Sequence, residues 1–95
     1  MANYLAALTT TAVSDGSKSI APSGLVKGDE IEIMAHSAGV WVNIKGGAST
    51  VNGANCIRCA QDQRVPIVAA DDTLTAIREA STDAEVTVAI LSGRP

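Results

Sequence analysis

The chain has 95 residues, enough for one domain and too few for two self-sufficient ones, which excludes a multidomain enzyme. Apolar residues make up 46% of it, yet there is no Phe, one Trp and one Tyr, so a core must be built from Val, Ile, Leu and Ala. Ten acidic residues outnumber seven scattered basic ones, for a formal net charge of −3; no basic stripe runs through the sequence, and nucleic acid is not an expected partner.

The apolar runs fall far short of the roughly 20 residues needed to span a bilayer. The N-terminus lacks the basic-then-apolar build of a signal peptide. A soluble protein made in the cytoplasm is therefore expected, with no membrane partner. A chain of this size buries only about 60–65% of its unfolded surface, so its stability is expected to draw on subunit contacts or on docking to a larger partner.

Period-two alternation in short segments, punctuated by Gly, Asp, Asn and Ser, predicts half-buried antiparallel strands. Residues 3–13 carry Tyr4, Leu5, Leu8 and Val13 among Ala and Thr. Ala and Leu also suit a helix, and the Thr9-Thr10-Thr11 run decides for strand. Ser14-Asp15-Gly16 turns the chain into a short strand at 18–20, and Ala21-Pro22-Ser23-Gly24 turns it again. Leu25 and Val26 lead to the turn Lys27-Gly28-Asp29. Residues 30–36 then alternate cleanly, with Ile31, Ile33 and Ala35 on one face and Glu30 and Glu32 on the other.

Ser37-Ala38-Gly39 reverses the chain into residues 40–45, predicting a hairpin in which Val40, Val42 and Ile44 oppose Trp41, Asn43 and Lys45. Residues 46–55 are Gly, Ala, Ser, Thr and Asn with one Val, and read as an irregular connection. A short strand at 56–60 and a polar turn at 61–63 follow. The strand at 65–68 contains Pro66, which confines it to an edge or to its first pairing positions. Asp71-Asp72 precedes two last alternating strands, 73–79 and 85–91, read as a C-terminal hairpin, and residues 92–95 form a short tail. Seven or eight short strands with turns every eight to twelve residues predict a single all-β domain over 1–95, a small antiparallel β-sandwich or jelly-roll-like fold, with an extended N-terminal segment over about 1–13.

Candidates for chemistry are few. Cys56-Ile57-Arg58-Cys59 spaces two thiols as a redox pair or half a zinc site would. No helix-forming pattern follows it to lower a thiol pKa, and only His36 and carboxylates are left to complete four ligands, so Cys56 and Cys59 are weak metal candidates. His36, the single histidine, reads as a turn residue. The acidic pairs Asp29-Glu30, Glu30/Glu32 and Asp71-Asp72 sit in or beside turns, where charge is solvated. No catalytic residue, cofactor or metal is expected. Trp41 differs, because a lone aromatic on a polar strand face is either an anchor for a protein or sugar partner or a side chain closing the end of the core. Tyr4 is the second candidate anchor.

Residues 68–91 run through an acidic turn at Asp71-Asp72, Leu74 followed by Ile77-Arg78, a Ser81-Thr82 turn, and the alternating Val86, Val88 and Ile90. This stretch resembles the ending of small β-rich virion proteins of tailed bacteriophages. Residues 40–50 resemble their strand followed by a Gly-Ala-Ser-Thr loop. The likeness covers a little over a third of the chain; residues 3–13 and the two cysteines are not part of it.

The resemblance implies a non-enzymatic virion structural protein, most like a capsid decoration (cement) protein on the capsid surface. Its implied partner is the major capsid protein, and its implied assembly a homo-oligomer, favouring a trimer. A tail, neck or fibre adaptor and a carbohydrate-binding module are the alternatives.

Overall fold

The computed structural model describes residues 4–92, with the backbone alone at 4–7 and 92. The sequence beyond Ser92, the segment before Tyr4, and the Tyr4 side chain lie outside the described residues. Among the described residues, eight strands account for the regular structure: β1 (Tyr4–Val13), β2 (Lys18–Ser19), β3 (Glu30–His36), β4 (Val40–Asn43), β5 (Cys56–Cys59), β6 (Arg64–Val68), β7 (Thr75–Arg78) and β8 (Ala84–Ser92). They form two four-stranded antiparallel sheets, one in the order β1-β8-β3-β6 and the other β2-β7-β4-β5. The fold is an all-β sandwich. No helix among the described residues is long and apolar enough to cross a membrane.

The alternation read in the sequence sorts side chains between the interior and the two outer faces. From the first sheet, Val13, Ile31, Ile33, Ala35, Val86, Val88 and Ile90 are buried. From the second, Val40, Val42, Cys59 and Ala76 meet them. Ile20, Leu25, Ala69 and Leu74 extend this core, and Ile44, Ile57, Val65 and Ile67 pack against it. The described core is free of aromatic side chains. Each fully buried Val or Ile contributes about 1.5–3 kcal/mol, so the core depends on many small side chains fitting together.

The two hairpins read from the sequence are absent. β3 and β4 lie in different sheets, as do β7 and β8. The reason is occupancy: β3 is paired on one side by β6 and on the other by β8, and β7 is held between β2 and β4. No edge is left on either for its sequence neighbour. Ser37, with φ at 73°, lies in the left-handed region and turns the chain out of the first sheet towards the second. Among the described strands, only the β4–β5 connection stays within one sheet. The strand bearing Pro66, β6, is an edge strand, where a missing N–H is tolerated.

Candidate functional site

The outer face of the second sheet is built around Trp41. It stands in register with Ile77 of β7 on one side and Arg58 of β5 on the other, and it is half-buried. Alternation along β4 puts it there: Val40 and Val42 point into the core, so the residue between them points out.

One end of this face is crossed by an ion pair. Arg58 Nε donates to Glu79 Oε2 over 2.6 Å, and Nη2 donates to Oε1 over 3.3 Å. The Arg58 hydrogen bond holds the Glu79 carboxyl below its usual range, and Glu79 in turn raises the Arg58 guanidinium. At the other end, the 44–55 connection folds back on the sheet. Ser49, 2% exposed, accepts the Asn43 N–H at 2.9 Å and lies 2.8 Å from both the carbonyl and the hydroxyl oxygen of Thr75. The Asn43 amide donates to the Ala48 carbonyl, and the Thr75 hydroxyl to that of Gly47. Trp41 thus sits between a hydrogen-bonded loop and a bidentate ion pair.

The outer face of the first sheet carries a polar ladder. Thr10 Oγ1 lies 3.2 Å from Thr87 Oγ1, which lies 3.1 Å from His36 Nε2. His36 Nδ1 is 4.0 Å from Asp62 Oδ1. His36 is therefore the last residue of a central strand rather than a hairpin turn. The Asp62 N–H donates to the Ala35 carbonyl at 2.7 Å, which pins the 60–63 turn beside it. The hydroxyl–imidazole–carboxylate order is that of a nucleophile with its base, but the carboxylate stands at ion-pair rather than hydrogen-bond distance and is 71% exposed. The ladder ties β1, β8 and β3 together on an open surface.

Cys56 and Cys59 do not converge. Three residues apart on one strand, they leave opposite faces: Cys59 is buried in register with Val40, and Cys56 is half-buried in register with Asn43. Both are free thiols. Burial pushes the Cys59 thiol up, against a backbone hydrogen bond from Ala35 that lowers it. Among the described residues, no group of three or more His, Cys, Asp or Glu is placed to hold a metal ion.

The acidic pairs serve turns. Asp29 is buried, and its carboxylate accepts the Val26 N–H at 3.0 Å. The backbone N–H of Asp72 reaches Asp71 Oδ1 at 2.7 Å and holds that carboxyl below its usual range. Glu30 and Glu32 face outward as expected, and Glu30 borders an open groove of about 470 Å³ lined also by Pro66, Val68 and Leu91.

The pairing of Arg58 with Glu79 and the role of Ser49 were not apparent in the sequence. Arg58 lies between the two cysteines that attract attention, and its partner is 21 residues away. Compared with known proteins, the chain matches no family model, no curated protein and no solved structure.

Proposed function

We propose that this chain is a non-enzymatic structural protein of a phage virion, a capsid decoration protein that binds the outer shell and stabilises it by preferential binding. The observation that carries the reading is the outer face of the second sheet. A half-buried tryptophan stands there between a hydrogen-bonded loop and an ion pair, the kind of aromatic anchor a protein partner can use. The likeness of residues 68–91 and 40–50 to small β-rich virion proteins supports the same reading. Such a module needs more than one site per assembly, because many weak contacts made together resist shell expansion through effective concentration. The resemblance implies three copies at a symmetry axis.

Co-sedimentation with empty heads assembled from the cognate major capsid protein tests the proposal. The wild-type chain pellets with the heads at saturating copy number, and Trp41→Ala binds at least about tenfold more weakly while keeping its β-sheet circular dichroism. Heads that bind no wild-type protein overturn the shell reading. Binding confined to a dozen or so copies per particle, against hundreds expected for a shell protein, assigns it to a tail or neck position instead.

A further inference from the structure

The two sheets have four outer edges, and three of them carry features that discourage pairing with another chain. β6 has Pro66 and Arg64, β5 is four residues long with Arg58 inside it, and β2 is two residues long. The fourth edge, β1, is different. It runs ten residues from Tyr4 to Val13 with no proline and no Asp, Glu, Lys or Arg. Among the described strands it pairs with β8 alone. Its one irregularity is a register shift between Leu5 and Ala7, which leaves residues 7–13 as an unbroken stretch. Leu8, 56% exposed, stands on its outer face with Thr10 and Ala12.

We propose that β1 is a self-association edge, along which two copies of this chain pair antiparallel through residues 7–13 and join their first sheets into one of eight strands. A second copy is the occupant for two reasons. First, β1 is self-complementary. About a two-fold axis at Thr10, each Leu8 stands opposite the partner's Ala12 and Thr10 opposite its own copy, with no like charges facing across the axis. Second, a head-to-tail arrangement would have to pair β1 with β2, β5 or β6, the edges that are short, charged or proline-bearing. The isologous pairing satisfies both free edges at once and closes, so the assembly stops at two. This inference is independent of the shell reading and stands or falls by itself.

Size-exclusion chromatography with light scattering, from micromolar to near-millimolar protein, is the test. The mass rises from 9.7 kDa towards twice that value. Thr10→Lys sets two ammonium groups opposite each other at the axis and weakens the dimer at least about tenfold, whereas Thr10→Ser leaves it intact. Hydrogen–deuterium exchange on the unmodified chain needs no variant, and the amides of residues 7–13 become slower to exchange as concentration rises. A monomer throughout, a mass of three times 9.7 kDa, or concentration-dependent protection confined to another strand overturns the proposal.

Discussion

Arg58 reaches Glu79 across the line of β4, with Nε 2.6 Å from Oε2, and Gly39 is the residue that lets it pass. A methyl group at position 39 would run into the Glu79 carboxylate and lie 3.2 Å from the Cys59 carbonyl oxygen. Glycine is needed there for space. Gly39→Ala is therefore expected to displace the carboxylate, part the ion pair and lower the urea midpoint. The loss shrinks when Glu79 is already Ala, because the colliding group is gone. A double-mutant cycle measures this, and additive effects would show that Gly39 matters for some other reason.

The same pair gives a pH dependence with a definite sign. Arg58 hydrogen-bonds the Glu79 carboxylate and depresses its pKa in the folded state. A depressed carboxyl adds stability above its unfolded value of about 4.3, and that stability is lost as pH falls through the lower folded value. Both groups are at the surface, so the effect is small and weakened by salt. Melting temperatures of wild type and Glu79→Gln are expected to differ near neutral pH and to converge in acid. A gap that stays constant well below the carboxylate range would remove Glu79 as its cause.

Placement of the thiols predicts unequal reactivity. Cys59 is buried with Sγ 3.5 Å from the Gln63 carbonyl oxygen, and burial raises its pKa, while Cys56 lies half-buried on the other face of β5. Iodoacetamide at neutral pH is expected to modify Cys56 in the native protein and both cysteines in denaturant, as read by mass spectrometry. Formation of a Cys56–Cys59 disulfide in the folded chain, or stoichiometric zinc binding, would contradict the opposite-face geometry.

Local pattern carried the strands but not their partners. The alternation of Ile31, Ile33 and Ala35 marked β3 and its buried face, and Pro66 marked an edge, because side-chain period and a missing N–H are properties of a few adjacent residues. A tight turn such as Ser37-Ala38-Gly39 does not encode which sheet the next strand joins. That choice is made by β6 and β8, more than 25 residues downstream, when they occupy both sides of β3. The site divides in the same way. Trp41 was legible as an outward aromatic from its neighbours Val40 and Val42, whereas its surroundings come from Arg58, Ile77 and Glu79 on other strands.

The 44–55 connection has the composition of a loose loop, yet a buried hydroxyl holds it. Ser49 Oγ accepts the Asn43 N–H and meets the Thr75 carbonyl and hydroxyl oxygens, while its own N–H donates to the Ser17 hydroxyl at 2.8 Å. Ser49→Ala keeps the backbone bond to Ser17 but strips the Asn43 N–H of its acceptor. Leaving a buried group unsatisfied in this way costs about 1–3 kcal/mol. Asn43 follows Trp41 by two residues on the same strand face, so loosening this wall also admits water to the indole. The variant is expected to show a lower urea midpoint and a red-shifted tryptophan emission before any unfolding, whereas Thr50→Ala, at an exposed neighbouring position, leaves the emission unchanged. A stability loss without the spectral shift would mean that Ser49 supports the sheet but not the surface around Trp41, and binding through that surface would then survive the substitution.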